Sequence, residues 1–320
     1  MSAAEKFGQM FFAIGLFAVV FIGILLLASL AKGRKGERVQ SLAFVGPALL
    51  LLAVGLLYPA IRTVGQSFKN GDGTKFIGLD NYTNIFTSPE QLLVIRNTAV
   101  WVLLVPIFAT AIGLIYALLV DKARGESFAK ALIFLPMAIS MVGASIIWKF
   151  MYDYRPKTRP QIGLLNAILV KLGFDPQNFI LNAPANTVFL IVIMIWIQCG
   201  FAMVILSAAI KAIPEDIIEA ARLDGVRGMQ MFRFITLPSI RGAVVVVLTT
   251  IGIAVLKVFD IVRTMTGGQF DTSVVANEFY NQTFRYDNTG LGAALAVVLF
   301  VLVIPFIVYN ARQLRRSEGR

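Results

Sequence analysis

Side chains able to carry out catalysis are scarce in this sequence. It contains no histidine, and Cys199 is its one cysteine. Acid–base catalysis by histidine, zinc sites of the Cys/His type and a disulfide framework are therefore excluded. Cys199 lies in an apolar run, which is more typical of a small packing residue than of a nucleophile. Since no cluster of catalytic carboxylates is visible either, the sequence does not predict an enzyme.

Nucleotide and metal chemistry are also missing from the motifs. The phosphate-binding loop G-x-x-x-x-G-K-[ST] does not occur, and the glycine pair Gly267-Gly268 is not followed by lysine. We therefore expect this chain to bind no metal and no cofactor itself.

The composition is typical of a membrane protein. Hydrophobic residues make up 58% of the 320 residues and charged residues 15%, against about 25% charged in soluble domains. A soluble protein this apolar would need a larger core than its length allows, whereas a chain facing lipid does not. The net charge of +11 then indicates cytoplasmic loops and contact with anionic membrane lipid rather than nucleic acid.

Uncharged runs that meet or approach the roughly 20 residues needed to cross a bilayer predict seven transmembrane helices. Because backbone groups in lipid must be satisfied within the segment, the expected fold class is all-α, a polytopic helix bundle. The sixth run is short and continues through Lys257 and Asp260 toward Val262. The seven runs are 10–31, 42–61, 97–120, 131–148, 187–210, 242–256 and 288–311.

The basic residues predict the orientation of the helices. Short loops rich in lysine and arginine stay in the cytoplasm, so we expect the amino terminus outside and the carboxyl terminus inside. The first run is followed by a basic cluster at 32–38, which indicates an uncleaved anchor rather than a signal peptide. Sixteen of the 29 lysines and arginines lie in the four segments expected in the cytoplasm, although their total length is about half that of the segments expected outside. The four segments are 32–41, 121–130, 211–241 and 311–320.

The segment 211–241 has the pattern of two helices joined by a glycine. Pro214 suits a first helical position, acidic residues follow it, and the helix continues to Asp224. Gly225 would end it as a left-handed residue, and a second short helix is predicted from Val226 to Phe234. The pattern alone leaves two alternatives at even weight, an interfacial hairpin on the membrane and a docking surface for a partner.

The spacing of residue types in this segment resembles the EAA loop of permease subunits of binding-protein-dependent ABC importers. It reads Glu219-Ala220-Ala221, then Gly225, Ile235 and Leu237-Pro238, the last pair being expected to end the second helix. The flanking stretch GFAMVILSAAIKAIPEDIIEAARLDG, with GLDNYTNIF, NTAVW and FDIVRTMTGG elsewhere, resembles the carbohydrate branch, most closely the α-glucoside and maltose permeases. The first span is additional to the six-helix core of that family.

The resemblance implies a domain division and a mechanical function. Residues 1–41 are expected to form an anchor helix and a basic cytoplasmic loop, residues 42–311 the permease domain, and residues 312–320 a basic cytoplasmic tail. In the family the EAA helix sits in a cleft of a cytoplasmic ATPase and moves as a rigid lever. The residues implied to couple the two proteins are Glu219, Ala220, Ala221, Asp224, Gly225, Ile235, Leu237 and Pro238.

The resemblance also implies the partners. They are a second permease subunit, a cytoplasmic ABC ATPase dimer that binds ATP and Mg, and an extracytoplasmic sugar-binding protein. The expected function is carbohydrate import, for example of an α-glucoside, across a bacterial inner membrane.

A sugar path needs hydrogen-bonding and aromatic groups that face the bundle interior. On the fifth span Trp196 and Ser207 recur at helical spacing with Gly200 and Met203, and Gln198 is nearby. For Trp196 and Gln198, binding and structural roles have equal weight. On the fourth span a strip of small residues is more often a sign of close helix packing than of binding. Its members are Ser140, Gly143 and Ala144.

Lys257 and Asp260 are the charges within the likely extent of a span. Three residues apart on one helix, they would share a face and could pair. The run 242–256 gives about 22 Å against a core of about 30 Å, which places the next turn in the membrane. We hypothesise that the pair lines the outer mouth of the path, with outer headgroups as the alternative location.

Two other classes of protein fit the sequence less well. A secondary transporter or channel would typically show paired half-repeats and several intramembrane acidic residues. A membrane enzyme would need a cluster of catalytic side chains. An importer permease explains the 211–241 segment, the outer loops and the missing nucleotide site together.

The orientation is testable by labelling single introduced cysteines in intact cells with a membrane-impermeant reagent. Labelling from outside is expected near the amino terminus and in the second, fourth and sixth loops, and labelling at position 36 or 225 would refute the orientation. The positions are Glu5, Gly36, Lys75, Gly125, Leu165, Gly225 and Arg315.

Overall fold

The computed structural model describes residues 3–29, 33–121 and 124–318, which are mostly helical. Apart from an isolated antiparallel bridge between Lys69 and Phe76, these residues form no β-structure. The expected all-α fold is confirmed. The α-helices are α1 (Ala3–Ser29), α2 (Gly33–Leu52), α3 (Tyr58–Gln66), α4 (Asp80–Thr87), α5 (Pro89–Val120), α6 (Glu126–Phe134), α7 (Met141–Met151), α8 (Leu164–Lys171), α9 (Ala185–Lys211), α10 (Glu215–Leu223), α11 (Leu237–Leu256), α12 (Asp260–Met265), α13 (Val275–Phe284) and α14 (Thr289–Glu318).

A first unit, residues 1–65, contains α1, α2 and nearly all of α3. A π-helical stretch, Ala53–Leu57, connects α2 to α3 without a break. The sequence predicted a basic loop up to residue 41, but residues 33–40 form the first turns of α2. The reason is that arginine, lysine, glutamate and glutamine are good helix formers, and two glycines do not stop a helix that continues into an apolar run. Residues 30–32 lie outside the described part.

The second unit, residues 66–320, has α5 and α9 at its centre. These two helices pack along each other, and α11 packs against both. Trp101 of α5, Met194 and Met203 of α9, and Ile251 of α11 are buried in one apolar cluster. A second cluster, which includes Leu295, joins α14 to α13 and to the start of α5.

The outer surface of the long helices is apolar. Leu103 and Ile107 of α5 and Phe300 of α14 are among many large hydrophobic side chains exposed on them. Such surface is suited to lipid rather than to water. In the described part of the chain, six helices are long and apolar enough to span a membrane, or seven if the bent pair α6–α7 is one span. The predicted bundle is therefore confirmed.

The pair α6–α7 replaces the single helix predicted for 131–148. The two helices are joined by a 3-10 turn, Leu135–Ala138, and their axes differ by 101°. Pro136 in this turn has no backbone N–H to donate. The Ser140 hydroxyl accepts a hydrogen bond from Gly143 N at 3.0 Å and caps α7. The apolar run thus correctly indicates a membrane segment but does not reveal the break.

The chain after Gly225 also differs from the prediction. Instead of a short second helix, a helical segment runs from Met229 through a π-helical stretch, Met231–Thr236, directly into α11. Leu237-Pro238 lies in the first turn of α11 rather than at a helix end. A proline ring conflicts with the carbonyl four residues earlier in a regular α-helix, and the wider π-helical backbone accommodates it. The membrane segment therefore has 26 residues, about 39 Å in length.

Two glycines set the distances between central helices. A β-carbon added to Gly113 of α5 would lie 2.5 Å from Ala202 Cβ and 2.7 Å from Met203 N of α9. A β-carbon added to Gly200 of α9 would lie 2.5 Å from Ile133 O of α6. Small residues allow membrane helices to approach until their backbones touch, which maximises van der Waals contact.

We expect Gly113→Ala to lower the stability of the protein by about 1–3 kcal/mol, because the added methyl group meets backbone atoms. The matched control is Gly46→Ala in α2, where a β-carbon meets nothing within 4 Å and alanine is the better helix former. Thermal unfolding of the two variants in detergent measures the difference. Equal unfolding midpoints would contradict the assigned role of Gly113.

Candidate functional site

α10 is a short, largely exposed helix that ends at a glycine. Pro214 precedes it, acidic residues occupy its first turn and Arg222 its last, an order that complements the helix dipole. Gly225 has φ +84°. Val226 N donates to Ala221 O at 2.9 Å and Gly225 N donates to Arg222 O at 3.0 Å. This is the Schellman pattern, and it confirms the predicted helix and its glycine end.

The exposed side of α10 carries both charge and apolar surface. Glu219, Ala220 and Asp224 are exposed, while Ala221 packs inward. Leu223, which the sequence analysis did not single out, is 88% exposed at the end of the helix. α10 thus presents charged, small and apolar side chains together on its exposed side.

The implied coupling residues fall into two groups in the structure. Those from Glu219 to Gly225 lie together on α10 and its glycine end. Ile235, Leu237 and Pro238 lie in the π-helical stretch and the first turn of α11. The two groups therefore lie on different helical segments.

A cluster of charged and polar side chains, which we call the polar cluster, joins α5, α6 and α9 where α9 leads into α10. Lys130 Nζ lies 2.5 Å from Asp121 Oδ1 and 2.8 Å from Glu126 Oε1, and it also donates to Ser207 Oγ. Ser207 Oγ donates to Asp121 Oδ1 at 2.5 Å, and Lys211 pairs with Glu126. All three Nζ hydrogens of Lys130 thus have acceptors.

Burial distinguishes this cluster from a surface ion pair. The side chains of Asp121 and Lys130 are 9% and 20% exposed. Ser207, predicted to line a substrate path, is buried with its hydroxyl engaged in the cluster. Asp121 and Lys130 were not among the site residues predicted from the sequence. Their opposite charges, nine positions apart across the connection between α5 and α6, could have indicated an ion pair. Ser207 is 86 positions from Asp121, so its part in the cluster could not be seen from the sequence.

The other predicted path residues do not converge on one site. The Trp196 ring is half-buried, 5.8 Å from the Trp148 ring of α7 between centroids and edge-on to it. Gln198 is buried, and two positions along an α-helix it points about 200° away from Trp196. Ser140 is exposed and serves as the cap of α7. Only Trp196, among these three, lies on an aromatic surface.

Lys257 and Asp260 do not form the hypothesised pair. α11 ends at Leu256, and Asp260 begins a new helix, α12. Lys257 is exposed, Asp260 is half-buried, and no ion pair joins them among the described side chains. Because the backbone leaves the helical path between them, the spacing that would place them on one face does not apply. The span Met231–Leu256 has 26 residues and is long enough to cross the membrane by itself. Its length therefore does not require Lys257 or Asp260 to lie in the hydrocarbon core.

Asn277 and Asn281, two polar residues of α13, are buried rather than exposed. Asn277 is fully buried, and Asn281 accepts a hydrogen bond from Arg263 at 3.1 Å. The Arg263 guanidinium also lies 4.7 Å from the Tyr280 ring centroid. Asn277 and Asn281 therefore stabilise the fold and are not available to a docking partner.

Comparisons with known proteins match this architecture. Residues 93–316 match the family described as binding-protein-dependent transport system inner membrane component. The osmoprotective compounds uptake permease protein GgtC of Synechocystis sp. is 50% identical over 275 residues, which are 86% of this chain and 99% of that protein. The alpha-glucoside transport system permease protein AglF of Rhizobium meliloti is 48% identical over 287 residues, 89% of this chain and 85% of that one.

A solved structure shows the same fold. One chain of a bacterial ABC transporter involved in the import of the polysaccharide alginate superposes with a TM-score of 0.75 at 22% identity, covering 89% of this chain and 99% of that chain. The family match covers well over half of the sequence and includes α5 to α13 almost entirely. The chain belongs to the inner-membrane components of binding-protein-dependent transport systems, and it is a transport subunit rather than an enzyme.

Proposed function

We propose that the chain is the permease subunit of an ATP-driven ABC importer for a carbohydrate, such as an α-glucoside. The observation that carries the proposal is α10, an exposed helix with a glycine end at one end of a bundle of membrane-spanning helices. The substrate class is supported by the 48% identity to a permease described as an alpha-glucoside transporter subunit.

α10 is proposed to dock in a cleft of a cytoplasmic ATPase. Exposed Ala220 leaves that side of the helix thin, and Glu219 offers a carboxylate to a basic group on the partner. Leu223 supplies apolar area that water otherwise covers. This is the docking alternative of the two that the pattern left open, and membership of the binding-protein-dependent transport family supports it. ATP and Mg would bind to the partner, and this chain would bind no cofactor.

The polar cluster is proposed to connect α10 rigidly to the bundle. Only three residues separate the end of α9 from the start of α10. The cluster joins the adjacent ends of α5, α6 and α9 by partly buried ion pairs and hydrogen bonds. A displacement of α10 would therefore move these three helices together. Asp121 and Lys130 are positioning residues in this proposal.

The rest of the assembly follows from the same orientation. The end that carries α10 is proposed to face the cytoplasm, with the carboxyl terminus inside and the amino terminus outside, as in a bacterial inner membrane. A second permease subunit would complete the path, and an extracytoplasmic sugar-binding protein would dock at the opposite end. The aromatic surface of Trp196 and Trp148 is the part of the path that suits a sugar ring, because ligand sites are lined largely by aromatic and apolar groups.

Glu219→Lys is expected to weaken retention of the ATPase by at least about tenfold, because a carboxylate that pairs with a basic group is replaced by a like charge. Substrate uptake into vesicles containing the assembled transporter should fall in parallel. The control Asp72→Lys makes the same charge change in an exposed turn elsewhere and should leave both measurements unchanged. Normal ATPase retention and uptake by Glu219→Lys would rule out the docking role and favour the interfacial one.

Lys130→Met leaves the partly buried Asp121 carboxylate without its counterion, and we expect a loss of stability of about 1–3 kcal/mol. The double variant Asp121→Asn with Lys130→Met should recover most of the loss, since neither charge is then unpaired. Lys157→Met is the control, because Lys157 pairs with Asp175 with both side chains 66% exposed, a contact that contributes about 0–1 kcal/mol. Thermal unfolding and the ratio of substrate transported to ATP hydrolysed are measured. The positioning role of the cluster would be contradicted if the loss of stability in the double variant equalled the sum of the losses in Lys130→Met and Asp121→Asn. It would also be contradicted if Lys130→Met left the ratio of substrate transported to ATP hydrolysed unchanged.

A further inference from the structure

A cavity of about 780 Å³ opens between the start of α5, the loop 268–273 and α13. It lies at the end of the bundle opposite α10. α5 begins at this cavity and ends beside the polar cluster, and its 32 residues span about 48 Å. Phe270 and Tyr286, which line the cavity, are 44% and 62% exposed, so solvent reaches it.

Hydrogen bonds hold the loop of this cavity in a fixed shape. Asn97 Nδ2 of α5 donates to Asp271 O at 2.6 Å and to Ser273 O at 3.0 Å. Asn186 Nδ2 of α9 donates to Phe270 O at 2.7 Å. Phe270 and Asp271 have φ +57° and +60°, a left-handed conformation that residues with a side chain rarely adopt. The two asparagines therefore fix an unfavourable backbone that places Asp271 in the cavity lining.

The charged groups of the lining are all carboxylates. Glu90, Asp271 and Glu278 line the cavity without any lysine or arginine, in a chain whose net charge is +11. Within the described ranges none of these three carboxylates forms an ion pair. Gln91, which also lines the cavity, is 5% exposed, and its buried Oε1 has no hydrogen-bond partner. Glu278 receives two hydrogen bonds from neutral donors, Gln282 Nε2 at 2.7 Å and Ser273 Oγ at 3.4 Å.

This set of groups fits an organic cation. A buried acceptor without a donor is costly, and a cavity lined by three carboxylates attracts a positively charged group more strongly than a neutral one. No group of three or more acidic, histidine or cysteine side chains in the described chain is close enough to hold a metal ion. A guanidinium, with five N–H donors in a planar fork, can donate to carboxylates that approach it from different sides. A neutral sugar would leave the carboxylates uncompensated.

We propose that the cavity receives a basic side chain, most suitably an arginine, from the substrate-binding protein on which this family depends. The inference rests on the proposed function, since the binding protein must approach the end of the permease opposite its ATPase. Charge complementarity at such a surface raises the rate of encounter and fixes the register of docking. The cavity would thus orient the binding protein over the bundle.

The test uses the assembled transporter in nanodiscs and its purified binding protein. The double variant Asp271→Asn with Glu278→Gln removes two charges and keeps the shape, since Asn97 bonds only to the main chain of Asp271. The control Asp287→Asn makes the same change at another positive-φ position, φ +52°, on the same end of the protein but outside the cavity. Asparagine tolerates this backbone conformation at both positions.

Affinity of the labelled binding protein is measured at about 50 mM and about 500 mM salt, since screening separates charge effects from shape effects. The double variant should bind at least about tenfold more weakly at low salt, with a smaller difference at high salt, while assembly and basal ATPase activity stay unchanged. Asp287→Asn should match the wild type. Unchanged affinity in the double variant would overturn the proposal, and so would loss of subunit assembly, which would assign the cavity to a contact within the transporter. If the wild-type transporter itself fails to bind the binding protein, the proposed function is the part that is wrong.

Discussion

The close approach of α5 and α9 at Gly113 is the contact on which both ends of the molecule depend. In a membrane, an apolar side chain is in apolar surroundings whether it contacts lipid or another helix, so the hydrophobic effect does not drive these helices together. They are held instead by van der Waals contact between closely spaced backbones and side chains. Because they run side by side, α5 carries Asp121 to the same end as Ser207 of α9. At their other ends, Asn97 of α5 and Asn186 of α9 hold the same loop. One interhelical distance thus positions two separate groups of polar residues.

The two ends treat charge in opposite ways. In the polar cluster each ammonium hydrogen of Lys130 has an acceptor within the chain, and the result is a closed, internally neutralised network. At the opposite end, carboxylates of Glu90, Asp271 and Glu278 share a cavity without a basic neighbour. Ion pairs and hydrogen bonds within the chain hold the three helix ends together, whereas carboxylates without a basic neighbour attract a positive charge from outside. This contrast matches an end built to transmit movement and an end built to receive a partner.

Much of this architecture could be predicted from local sequence. Apolar length revealed the spans, and Pro214 with Gly225 gave both ends of α10, because helix limits depend on a few residues with distinct backbone preferences. The break between α6 and α7 was missed, since it requires Pro136 and the cap at Ser140 to act together. The pairing of Lys257 with Asp260 was wrong because spacing is informative only if the helix continues, and α11 ends before both residues. The polar cluster and the cavity join residues that are distant in sequence, so no local pattern reveals them.

The π-helical stretch Met231–Thr236 has a consequence for how force divides between the two attachments of α10. Toward α9, the attachment is a three-residue strut anchored by ion pairs. Toward α11, it passes through Gly225 and then through a turn of wider winding, in which each N–H bonds five residues back. Tightening this turn to regular α-helical winding would rotate α11 without breaking its ladder of hydrogen bonds. In the proposed docking role, a load at α10 would reach α9 through this short connection, and it would reach α11 through a glycine and a turn that can change its winding.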